Sequence, residues 1–264
     1  MTSHPRRSPT PRFKTIFPGG FDEKFGHCSS ISQHSGSSRS GHHFTFEPEQ
    51  LWDSLIERNN PDTPLESIIV KAAWYGKKTK SSQHEFIAIK VEDIKVSGLT
   101  DYLILDRNVE ANQGNSRRAS LVSSQTADAK DAFKVSYDGY IEKLLEECQL
   151  MPYMFLEKLS FQTDHPLRLY ELVILSHVVS QRHPKYQLID SSCYLFAGVI
   201  WECMRLMRPS AIYDDTLASE RGRCNWLRYT PSDSGILSTY RLIQIQILAV
   251  EKDFKEYGNV RSVG

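Results

Sequence analysis

The sequence predicts an α+β domain: an antiparallel sheet of four to five strands packed against helices near 165–180 and 190–207, behind a disordered N-terminal tail. Three observations carry this. Three runs rich in Ile, Val, Leu and aromatic residues lie close together between 66 and 108, separated by polar linkers, the pattern of a strand meander. Two later stretches, 165–180 and 190–207, carry apolar residues around most of a helical circumference, as buried helices do. Residues 1–43 are rich in Ser, Pro, Gly, His and basic residues without apolar periodicity, and such a segment buries too little surface to order itself.

The domain is expected over 44–260. Glu47-Pro48-Glu49-Gln50-Leu51-Trp52 puts a proline and acids in a first helical turn. Leu51, Trp52, Leu55 and Ile56 then make one apolar stripe, ended by Asn59-Asn60-Pro61. The three strands are Glu66–Tyr75, closed by Gly76, then His84–Val91, then Asp101–Asn108. Residues 110–130 are poor in apolar side chains and read as a surface loop. It contains Arg117-Arg118-Ala119-Ser120, a basophilic kinase-like pattern. A strand through Phe133–Tyr137, a short helix over Tyr140–Cys148 and a strand over Met151–Phe161 follow. The helix at His165–Ser180 has Pro166 at its first position and ends at His183-Pro184; the next, 190–207, has Asp190, Ser191 or Ser192 as its N-cap. A Pro- and Gly-punctuated segment leads to a last amphipathic helix, about Ile236–Phe254.

Charge and cysteine content limit the function classes. The 264 residues hold 32 Lys and Arg against 32 Asp and Glu, so no nucleic-acid partner is expected, since phosphate affinity needs a basic excess or face. The neutrality averages two unlike parts: residues 1–43 have six basic residues against two acidic ones, leaving the domain weakly acidic. Five widely spaced cysteines with no CxxC suggest reduced thiols in the cytoplasm or nucleus. The N-terminus lacks the apolar run of a secretory signal, and no stretch approaches the roughly 20 apolar residues of a membrane span. With no P-loop, no GxGxxG after a strand, no HExxH, and His177 and His183 six residues apart, neither a cofactor nor a metal site is expected.

Three residues could carry chemistry together. Cys193 lies within a turn of a helix start, where the partial positive charge favours a thiolate and free backbone N–H groups can hold an oxyanion. His84 begins one strand and Asp106 ends the next. Opposed residues of an antiparallel pair share a constant index sum, so pairing these two centres the turn on Lys95 and puts both on one face. A carboxylate so placed orients the imidazole, which can take a proton from a thiol. Singly, a cysteine on an apolar helix is usually a small core residue and a strand-end histidine a surface one. The conjunction points to catalysis. Cys203, ten residues on, lies about 15 Å from Cys193 by helical rise, too far for a disulfide. Cys224, among basic residues in Arg221-Gly-Arg-Cys-Asn-Trp226, is the rival reactive thiol.

The runs His84-Glu-Phe, Tyr102-Leu-Ile-Leu-Asp-Arg107 and Tyr186-Gln-Leu-Ile-Asp-Ser-Ser-Cys-Tyr-Leu-Phe-Ala197 resemble a group of proteins from mushroom-forming fungi. Their shared core reads HEF, a strand ending in an acidic-Arg pair, and a Tyr-rich lead into Cys-Tyr-Trp-Phe-Ala; here Leu195 replaces the Trp. The order histidine, acid, cysteine also resembles the circularly permuted NlpC-type papain-like enzymes, which include lecithin:retinol acyltransferase-like proteins. The resemblance covers about residues 66–205 and implies a papain-like permuted core with Cys193 as nucleophile, His84 as base and Asp106 as the orienting group. The permuted enzymes often have a second histidine in that third role. The expected function is therefore a thiol hydrolase or acyltransferase acting on an amide, ester or thioester carbonyl of an acyl, peptide or lipid substrate. The rival classes are a non-catalytic binding module on the same fold and a scaffold regulated through its tail.

Overall fold

The computed structural model describes residues 43–57, 65–80, 83–95, 98–109, 127–136, 139–186, 192–224 and 227–261. The chain enters through β1 (His43–Phe46) and α1 (Pro48–Glu57), the helix whose proline and acid mark its first turn. β2 (Ile68–Lys78), β3 (Glu85–Asp93) and β4 (Thr100–Val109) then pair antiparallel in sequence order, which is the expected meander. β5 (Ala127–Ser136) lies between β4 and β1. After α2 (Ile141–Glu147), β6 (Tyr153–Ser160) pairs with the other edge of β2. β7 (Leu167–Arg168) also pairs with β2 and leads into α3 (Leu169–Arg182); β8 (Lys185–Tyr186) pairs with the start of β5. α4 (Cys193–Met207), then β9 (Ile212–Asp214) on β6, a small β10 (Arg223–Cys224) and β11 (Leu227–Arg228) ladder, and α5 (Asp233–Arg261) complete the order.

Among the described residues the main sheet has nine strands, ordered β1-β5-β4-β3-β2-β6-β9 with β7 and β8 attached, and not four to five. The additional strands are two to four residues long, too short for period-two alternation to declare itself. β5 begins at Ala127, inside the expected loop, because Ala-Asp-Ala-Lys-Asp has little strand propensity and is held by pairing with β4 and β8. The rest of that loop, with its kinase-like pattern, lies outside the described residues, as does the expected tail apart from His43, a buried strand residue. α3 starts at Leu169, since Leu167 and Arg168 are taken by β7 and the Arg168 N–H donates to Glu171 Oε2 (2.8 Å) at the new helix start. Ser192 occupies the N-cap position of α4, and α5 begins at Asp233.

Alternation divides the core between the faces of the sheet. Ile87, Ile89, Val91, Leu103, Leu105, Phe133 and Val135 pack under α1, α3, α4 and α5. Phe86, Ala88 and Ile104 pack under α2 with Leu144, Leu145 and Leu150. Gly76 does not close its strand; it sits inside β2, where a Cβ would lie 2.3 Å from the Phe86 ring. Among the described residues no helix is long and apolar enough to cross a membrane.

Candidate active site

The meander register places Phe86, two residues beyond His84, opposite Asp106. The turn is thus centred one residue later than Lys95. A two-residue offset is one full pleat period, so Asp106 keeps the face it was expected to have. It reaches His84 diagonally, with His84 Nε2 3.2 Å from Asp106 Oδ2. Asp106 is buried, and the same oxygen accepts hydrogen bonds from Lys134 Nζ (2.7 Å) and Asn108 Nδ2 (3.0 Å). Burial alone would raise its carboxyl. The Lys134 charge, then the hydrogen bond and charge of His84, reverse this and hold it well below the ordinary carboxylate range.

Cys193 is the first residue of α4 and only 3% exposed. It is electrostatically coupled to the His84 ring. Burial pulls the imidazole down, but the hydrogen bond it makes to Asp106, the coupling to Cys193 and the charges of both outweigh it and push His84 up to about 10. The structure thus brings His84 and Asp106 into contact, and places Cys193 at the N-terminus of α4, electrostatically coupled to the imidazole.

Neighbouring residues fix this arrangement. Tyr194, next to Cys193, donates its hydroxyl to the carbonyl of Gln83 (3.0 Å), next to His84. Gln83 holds a left-handed backbone, φ 47°, and is thereby tied to α4. Tyr194 also stacks on Tyr229 at 5.1 Å. Arg107 follows Asp106 on β4 but points to the opposite face. There it makes a two-pronged pair with Asp131 of β5 (both 2.7 Å) and lies 4.6 Å from the centre of the Phe196 ring on α4. One arginine so links the strand of the acid to the helix of the cysteine. Tyr186 of β8 lies close to the same point, and burial, then the charge of Cys193, raises its phenol.

Beside the site, Glu85 faces the other way. Tyr75 donates its hydroxyl to Glu85 Oε2 (2.5 Å) and the Gly222 N–H donates to Oε1 (2.8 Å), while Lys77 Nζ lies 3.6 Å off. Burial dominates and raises Glu85 to about 7. Lys77 donates in turn to the carbonyls of Glu220 and Arg223, so the segment after β9 is clasped to β2 by Lys77 and to β3 by Glu85.

Cys203 is a core residue, its thiol pushed up to about 12 by burial; Cys148 is raised to about 12 for the same first reason. Cys224 lies on β10, with its side chain outside the description. Among the described residues no group of three or more His, Cys, Asp or Glu is arranged to hold a metal ion. Lys134 and Asn108 were not singled out from sequence, and Tyr186 and Tyr194 stood there only within the run around Cys193, with no role assigned. The alternation in Phe133-Lys134-Val135, which sends the lysine to the face of Asp106, offered a signal for Lys134. Compared with protein families, curated proteins and solved structures, the chain gives no match.

Proposed function

We propose that the protein is a thiol hydrolase or acyltransferase of permuted papain-like type, using Cys193, His84 and Asp106. The observation that carries this is the His84–Asp106 hydrogen bond, with the imidazole electrostatically coupled to a cysteine that is the first residue of a helix. In the proposed reaction His84 already holds the proton drawn from the thiol before substrate arrives, in keeping with its raised proton affinity, and the sulfur bonds to an amide, ester or thioester carbonyl carbon. The resulting oxyanion lies beside the Cys193 N–H. Collapse breaks the bond to the leaving amine, alcohol or thiol, which receives the proton from His84. Water or a second acceptor then releases the acyl group from sulfur. Asp106 keeps the imidazole oriented and balances its positive charge. The order histidine, acid, cysteine, with the strands of the first two before the helix of the third, supports the permuted reading.

Capture with a carbonyl-directed activity probe tests this. The expected adduct is on Cys193, and Cys193→Ala removes it. Equal capture of the Ala variant, or an adduct on Cys148 or Cys224 alone, would refute the assignment.

A further inference from the structure

A cavity of about 230 Å³ opens beside the site, walled by Tyr213 of β9 and by residues of the 218–221 and 228–231 segments. It is tied to the chain neighbours of both proposed catalytic residues. Tyr229 of its wall stacks at 5.1 Å on Tyr194, the residue after Cys193. Arg221 of its wall precedes Gly222, whose N–H donates to Glu85 (2.8 Å), the residue after His84. From there the cavity follows one face of α4. Residues 194, 198 and 202 fall on a single helical stripe, and they meet Tyr229, Pro231 and Arg221 in turn. A Cβ at Gly198 would lie 3.0 Å from the Pro231 ring, and Glu202 pairs with Arg221 at 2.5 Å. These contacts run along about 12 Å of helical rise, and Cys193 stands at the start of the helix.

The charges behind this wall cancel. Arg221 pairs with buried Glu157 (3.3 Å) and with Glu202, and Glu202 pairs also with Arg205 (3.1 Å), which sets two arginines against two carboxylates. Arg223 is balanced by Glu220 (2.9 Å). Arg228 lines the cavity, is exposed, and makes no hydrogen bond or ion pair among the described residues. One positive charge is therefore left over at the cavity, and the hydroxyls of Ser219 and Thr230 stand on the same wall. A guanidinium fork beside hydroxyl donors suits a carboxylate. A single surplus charge with two carboxylates behind it favours a monoanion over a doubly charged phosphate. The volume falls short of the roughly 300 Å³ at which clefts for drug-sized ligands begin, so the cavity takes one arm of a substrate and not the whole. We propose that it is the subsite for the free carboxylate of a carboxylate-bearing acyl group, with Arg228 selecting it; this names a substrate class and rests on the thiol-hydrolase reading above.

The test measures p-nitrophenolate release from the p-nitrophenyl monoesters of glutaric, adipic and suberic acids, each against the same compound with its free carboxyl methylated. The ratio of the two kcat/KM values cancels any change at the sulfur and isolates the carboxylate. At one chain length or more the acid should be preferred roughly tenfold, the equivalent of one hydrogen bond to a charged group at an exposed position, and Arg228→Gln should abolish the preference. No preference at any length, or one that Arg228→Gln leaves intact, overturns the proposal. Should that variant fail to fold, salt decides with the unaltered protein: the preference should shrink as ionic strength rises, and one that salt leaves unchanged overturns the assignment. Cys193→Ala separates the two claims. If it releases p-nitrophenolate as fast as the unaltered protein, the thiol reading fails. Binding of monomethyl adipate to Cys193→Ala, followed through the Thr230 amide resonance, then still decides the cavity. A saturable shift that Arg228→Gln weakens supports the subsite. No saturable shift, or tighter binding of inorganic phosphate, overturns it.

Discussion

His84 meets two demands that pull in opposite directions. Its burial disfavours a charge, yet a base that has taken a proton must carry one; Asp106 resolves the conflict, and Lys134 keeps Asp106 ionised. The orienting role proposed for Asp106 is electrostatic and can be tested without changing shape. In Asp106→Asn, Cys193-dependent ester turnover should fall at least about a hundredfold, and the uncompensated Lys134 should cost about 3–5 kcal/mol of stability, read by urea denaturation. A turnover loss below tenfold would show that Asp106 does not act through His84. These three residues were legible because each has a local signature: strand start, strand end, helix start. Lys134, Tyr186 and Tyr194 were not. A lysine or tyrosine on a strand or helix reads as ordinary surface or core, and their partners are remote in sequence, 28 residues away for Lys134 with Asp106 and 111 for Tyr194 with Gln83.

At the scale of elements, the meander transmitted the site because the sheet tolerates a register change of two and not of one. Had Phe86 stood opposite Arg107, the arginine would have faced His84 and the acid would have joined the core under α4. Gly76 belongs to this register: it admits the Phe86 ring, and Phe86 is the residue paired with Asp106. Gly76→Ala should therefore destabilise the protein by about 1–3 kcal/mol through overpacking and slow Cys193 labelling as well, measured by denaturation midpoint and alkylation rate. A variant as stable as the parent would mean that the ring moves freely. From sequence Gly76 read as a strand terminator, because a glycine's use as a close-approach position depends on a neighbour that only the pairing reveals. The short strands β7, β8 and β9 were invisible for a related reason, since two or three residues gain strand character only from the partner they add to.

For the molecule as a whole, the buried titratable groups set the pH response. His84 is raised from its ordinary 6.5 to about 10, so its contribution is complete below about 6.5 and is lost as pH rises through about 10. Glu85, raised from 4.5 to about 7, acts in the same sense in a lower window: its contribution is complete below about 4.5 and fades as pH climbs through about 7. Asp106 has the opposite sign, its contribution being lost as pH falls below the ordinary carboxylate range. The denaturation midpoint should accordingly be highest in mildly acidic solution and decline toward pH 10, and His84→Gln should flatten the upper part of that decline. A midpoint that rises steadily from pH 7 to 10 would contradict the buried imidazolium. The chain order of the site has one more consequence. His84 and Asp106 are adjacent hairpin residues, whereas Cys193 arrives on a helix that follows β5, α2, β6 and α3. During synthesis the charged cradle can assemble while the thiol is still on the ribosome. The sulfur is delivered last, so the proposed chemistry would await the docking of the second half.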